Sequence, residues 1–145
     1  MLILSEELLR QIEAEAEAAY PNECCGILFG KYGGDAKTVS RIRRADNSRE
    51  AEEQYHRFRI TPEEMLRAER EARCAGEDIV GFYHSHPDAP AIPSEYDRSH
   101  ALPIYSYIIV STLSGKAADL TCHTLDENRE YRVFRAEAVS RTAKE

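Results

Sequence analysis

Short apolar runs bounded by turn residues, interspersed with segments of helical periodicity, constrain what this chain can fold into more than any other feature. Residues 5–19 carry the helical period: Ser5 can cap, Glu6 and Glu7 suit a first turn, and Leu8, Leu9, Ile12 and Ala16 share a face. Tyr20-Pro21-Asn22 ends that pattern. Cys24–Gly30 (CCGILFG) then reads as a buried strand, Lys31–Asp35 as a turn, and Lys37–Arg44 and Gln54–Ile60 as strands. Thr61-Pro62-Glu63-Glu64 is a helix start with cap, N1 proline and capping-box glutamate. That helix runs to Ala75, presents Met65, Ala68 and Ala72 on one side, and stops at Gly76. Asp78–His86 reads as a strand, followed by the proline-rich loop PDAPAIP and a short helix opening around Pro93–Asp97. Ser106–Leu113, Asp119–Leu125 and Glu130–Arg135 are further strands. The interspersion predicts one α/β (α+β) domain over residues 1–145, with helices packed on a sheet. Strand order is not legible at this level.

Length and charge narrow the function classes. A chain of 145 residues is one ordinary domain, able to bury a core without disulfide staples. A formal net charge of −7 argues against nucleic acid and against anionic membranes as partners. No apolar run approaches the roughly 20 residues of a membrane span, and MLILSEELLR lacks the basic start and long apolar core of a signal peptide. A cytoplasmic location is the expectation. Cys24, Cys25, Cys74 and Cys122 show no CxxC spacing and are expected to be reduced, mostly buried, small apolar residues.

The chemistry lies in HSHPDAPAIPSEYD, residues 84–97. Residues two apart in a strand project from one face, so His84 and His86 point the same way, with Cα atoms about 6.5–7 Å apart. Two imidazoles at that spacing can converge on one ion. Asp97 sits in the first turn of the short helix, which a loop of this length can return beside the strand end. Two histidines and a carboxylate leave a tetrahedral position for water, the arrangement of a catalytic zinc. Such chemistry also needs a carboxylate outside the ligand set to take the water's proton. Spacing does not choose it among 26 acidic residues, although Glu23, at the mouth of the strand that begins at Cys24, could face a cleft.

Plainer readings compete. An isolated HxH is a weak signal, and Ser94 with Asp97 has the spacing of a helix cap. One pair can serve both helix and site. His100 is an alternative ligand, though an exposed helical histidine is the better account of it; His56 and His123 carry no assigned role. Barrel amidohydrolases with HxH are far larger than this chain, the PCxxC of zinc deaminases is absent, and so is HExxH.

Taken together, Glu23, His84-Ser85-His86-Pro87, Ser94 and Asp97 resemble the JAMM (MPN+) metalloproteases. The family pattern is an upstream glutamate, then HxH, seven residues, serine, two residues and aspartate, and this chain matches each spacing. PNECCGILFG and GFYHSHP resemble the family's flanking segments, and the resemblance spans roughly residues 1–135. It implies a curved, mixed β-sheet flanked by helices, close to the deaminase arrangement. It implies Zn²⁺ on His84, His86 and Asp97, Glu23 as general base and proton donor, and Ser94 as hydrogen-bond donor to the oxyanion. It further implies a peptidase or isopeptidase acting at the Gly-Gly tail of a ubiquitin-like or sulfur-carrier protein, for example releasing cysteine from a carrier adduct. A catalytically silent scaffold and a zinc hydrolase of small amides are the alternatives.

Overall fold

The computed structural model describes residues 1–45, 60–125 and 134–142. In chain order the elements are β1 (Leu2–Ser5), α1 (Glu6–Ala19), β2 (Cys25–Gly33), β3 (Ala36–Ala45), α2 (Pro62–Ala75) and β4 (Asp78–Pro87). α3 (Glu95–His100), β5 (Ser106–Leu113), β6 (Lys116–Leu125), β7 (Phe134–Ala136) and β8 (Val139–Thr142) follow. The helix starts are made as their sequences dictate. The Ser5 hydroxyl accepts from Leu8 N at 3.2 Å and the Thr61 hydroxyl from Glu64 N at 3.1 Å, while Gly76 closes α2 in the left-handed region at φ 68°.

The strands form one mixed sheet in the order β7-β6-β5-β4-β2-β3-β1-β8. β4 and β5 run parallel, as do β1 with β3 and β1 with β8; the other pairs are antiparallel. β7 and β8 lie at opposite ends of that order, yet only Glu137 and Ala138 separate them. Three peptide steps reach about 11 Å at most, so the sheet must curl until its two edges nearly meet. The connector seals the gap: Glu137 N donates to Cys122 O on β6 at 2.8 Å, and Leu2 N on β1 donates to Ala138 O at 2.9 Å.

α1 packs Leu9, Ile12 and Ala16 against Leu2, Leu4, Leu28, Val80, Ile108 and Val110 on one face of the sheet. α2 packs Ala68 and Ala72 against Ile27, Phe29, Ile79, Phe82 and Tyr105 on the other. Strict alternation would send Ile79 and Phe82 to opposite faces. A bulge in the β2–β4 ladder, where Phe29 pairs with Ile79 but Leu28 with Gly81, resets the phase and puts both toward α2. Every residue beyond the bulge follows, so His84 and His86 inherit the α2 face.

Some expectations need correction. β2 continues through Lys31 to Gly33, and the turn is confined to Gly34 and Asp35. β6 begins at Lys116 rather than at Asp119. β1 and β8 were not anticipated; each is four residues long and is held by parallel pairing to a distant strand, which has no local signature. The expected strand at Gln54–Ile60 lies outside the described residues except for Ile60, as does the Glu130–Arg135 strand before Phe134. Cys24, Cys25 and Cys122 are buried thiols, whereas Cys74 is exposed on α2. Among the described residues no helix is long and apolar enough to cross a membrane.

Candidate metal centre

His84 and His86 stand at the end of β4, where the strand leaves the apolar core, and their side chains are 1% and 11% exposed. Their Nε2 atoms lie 3.1 Å apart. Asp97 enters from α3, with Oδ1 3.3 Å from His84 Nε2 and Oδ2 3.2 Å from His86 Nε2. A tetrahedral ion with bonds of about 2.0–2.1 Å has ligand–ligand edges of about 3.3–3.4 Å. The separation of the two nitrogens, and the distance from each nitrogen to its nearer Asp97 oxygen, are 3.1 to 3.3 Å and match those edges to a few tenths of an ångström. Residues His84, His86 and Asp97 therefore fit a small cation of the zinc class.

Glu23 comes from the other side. It is 4% exposed and immediately precedes the Cys24-Cys25 segment that pairs with β4. A carboxylate oxygen of Glu23 and a ring nitrogen from each of His84 and His86 all lie within 4.8 Å of one another. The structure thus brings Glu23 beside the histidines although it stands 61 positions before His84.

Neighbouring groups fix the orientations. His86 Nδ1 is 2.9 Å from Pro90 O; a carbonyl can only accept, so Nδ1 carries the proton and Nε2 presents its lone pair to the site. Pro90 sits in a loop pinned from beneath: Ser111 Oγ donates to Ala89 O at 2.6 Å, Thr121 Oγ1 to Ala91 O at 2.7 Å, and Asp88 N to Thr112 O at 2.6 Å. Asp97 is held by the capping box of α3: Ser94 N donates to Oδ2 at 2.8 Å, and the Ser94 hydroxyl accepts from Asp97 N at 3.1 Å. Helix cap and site residue are the same pair.

The electrostatics favour the ligand state. Burial holds His84 below the usual imidazole range despite the opposing pull of Asp97. Burial acts upward on Asp97, but His84 and His86 together with the Ser94 amide outweigh it, and the carboxyl stays far below the usual carboxylate range. For His86, burial lowers the value while the bonds to Asp97 and to the Pro90 carbonyl raise it by more. The carboxylate that draws a proton to His86 draws any other cation to the same point.

An apolar cavity of about 220 Å³ opens beside the ligands, with His84 and Asp97 in its wall. Met65, Phe82, Tyr96, Leu102, Tyr107 and Ile109 line the rest. β5 lies on the flank of β4 away from β2, so this cavity and Glu23 flank His84 from opposite sides. His100 also borders the cavity, with Nδ1 donating to Tyr96 O at 2.9 Å and its ring stacked on Tyr96 at 4.1 Å. His123 lies 3.0 Å from Thr121 Oγ1, and His56 is outside the described residues. Reading the sequence alone missed Pro90, because its contribution is a backbone carbonyl for which no side-chain signal exists.

The chain is 37% identical over 131 residues to a desampylase of Haloferax volcanii, covering 88% of each chain. It is 33% identical over 113 residues to a CysO-cysteine peptidase of Mycobacterium tuberculosis, covering 77% of this chain and 74% of the relative. The solution structure of a Desulfitobacterium hafniense protein superposes with a TM-score of 0.84 at 28% identity, covering 99% of this chain and 94% of that one. Residues 5–126 match the family described as prokaryotic homologs of the JAB domain, and the chain belongs to that family.

Proposed function

We propose that this protein is a zinc-dependent peptidase or isopeptidase that hydrolyses the amide bond at the C-terminal Gly-Gly tail of a ubiquitin-like or sulfur-carrier protein. The observation that carries the reading is that Asp97 from α3 and Glu23 from the segment before β2 each approach His84 and His86 at the end of β4. His84, His86 and Asp97 would hold Zn²⁺. When bound, Zn²⁺ supplies Lewis acidity toward a water nucleophile and the scissile carbonyl.

The chain's own groups do the rest. Glu23 takes the proton of the attacking water and delivers it to the leaving amine. Ser94 uses a lone pair to cap α3, which leaves its O–H to donate to the developing oxyanion; such a contact is worth roughly 3–4 kcal/mol when well placed. The Nδ1–H bond of His86 to Pro90 O keeps the imidazole in the ligand tautomer. The apolar cavity lies away from Glu23, hence on the acyl side of the bond being cut, and shields the tail from water there. The names of the relatives, desampylase and CysO-cysteine peptidase, support the choice of substrate class. A cytoplasmic site of action accords with such substrates.

The test is a zinc titration of metal-free protein followed by three incubations: a carrier–cysteine adduct, a ubiquitin-like fusion and small amides. One zinc per chain and cleavage after the Gly-Gly tail are expected. Failure to bind zinc stoichiometrically would overturn the catalytic reading in favour of a silent scaffold. Cleavage of small amides alone would favour the small-amide hydrolase.

A further inference from the structure

The residue between the two histidines faces away from them. Ser85 is fully buried on the α1 side of the sheet, next to Cys24 in the α1-facing core. The β2–β4 ladder ends at the pair Cys25 and His84; extended by one step, antiparallel register sets Cys24 opposite Ser85 and, by another, Glu23 opposite His86. Ser85 N donates to Cys24 O at 3.1 Å, continuing the ladder in one direction. The return bond is made differently: Cys24 N donates to the Ser85 hydroxyl at 2.8 Å. A side chain on the ligand strand thus holds the backbone amide of the residue directly after Glu23.

We infer that Ser85 is a positioning residue that sets Glu23 against the two histidines. The inference rests on the reading of Glu23 as general base and goes beyond it. Chain entering β2 from the cis Tyr20-Pro21 bend has no further ladder partner beyond Cys24 among the described residues. The Ser85 clamp holds the residue next to Glu23 on its β2 side, while on the other side Asn22 N donates to Ala19 O at 2.8 Å. Two bonds at Cys24, one each way, fix both the distance and the rotation of the segment relative to β4. Loss of the acceptor there changes how Glu23 is set against the histidines, which β4 carries independently.

The experiment compares Ser85→Thr with Ser85→Val, which share a shape and differ in the hydroxyl, in wild-type and Glu23→Gln backgrounds. With zinc-loaded enzyme and a carrier–cysteine adduct, Ser85→Val is expected to lower kcat about ten- to a hundredfold relative to Ser85→Thr, with KM and zinc affinity unchanged. In the Glu23→Gln background the two variants should turn over equally, because the residue through which Ser85 acts is gone. In metal-free protein, the Cys24 amide should exchange with solvent faster in Ser85→Val than in Ser85→Thr. Equal kcat for the two variants, or the same kcat gap in both backgrounds, overturns the inference while leaving Glu23 as base. Full turnover by Glu23→Gln alone overturns both.

Discussion

Glu23 and Asp97 carry the same functional group, are both nearly excluded from solvent, and have opposite tasks in the proposed reaction. Asp97 is tied down at both oxygens, to His84 on one side and to His86 and the Ser94 amide on the other. Glu23 reaches the histidines from the segment just before β2. Glu23→Gln keeps the shape and removes the base, so zinc should remain bound while turnover falls by about a hundredfold or more. Loss of metal in that variant would make Glu23 a ligand instead. Asp97→Ala removes a ligand, and zinc affinity measured by chelator competition should drop by at least the roughly 10–100-fold seen when even an outer-shell partner is lost. Undiminished affinity would shift the third ligand elsewhere, with His100 first in line. At this scale the sequence was informative, because HxH and S-x-x-D encode their geometry locally. Glu23 needed the family resemblance, since nothing local singles out one carboxylate of 26.

Elements rather than residues decide which way β4 faces. The bulge at Val80 turns the histidines toward α2, and Gly81 directly after it lies against the neighbouring strand. A Cβ added at Gly81 would stand 2.0 Å from the Ser106 carbonyl oxygen on β5, backbone that cannot swing aside. Gly81→Ala should therefore cost about 1–3 kcal/mol or more in urea denaturation, and weaken zinc binding by displacing the strand that carries both imidazoles. An alanine variant as stable as the parent would show that β4 and β5 can separate there without penalty. The capped helices α1 and α2 were legible almost to the residue, because caps are made by neighbours in the chain. The bulge was not, because it is a relation between two strands.

For the whole molecule, the consequence of two packed faces is a fold that needs no bound metal to hold it together. Leu2, Ile12, Leu28, Val80 and Ile108 form the core under α1, and Ile27, Phe29 and Ala68 the core under α2; all are essentially inaccessible except for their neighbours at the rim. Zinc fingers unfold without zinc because they lack such a core. Here chelation should leave the circular dichroism spectrum and a cooperative thermal transition intact. Stability should fall only by the binding linkage, about 2.7 kcal/mol at a hundredfold excess of zinc over its dissociation constant, with a correspondingly small drop in the midpoint. Collapse of the transition on chelation would contradict this. By itself the sequence determined the helix boundaries and most of the strands, and it singled out His84, His86 and Asp97 as the candidate ligands, since each rests on contacts within about a dozen residues. Only the tertiary structure decided the strand order, the near-closure of the sheet through Glu137 and Ala138, and the phase that aims the histidines at α2. Those depend on pairing between segments far apart in the chain, whose free energy comes from the partner and leaves no trace in either segment alone.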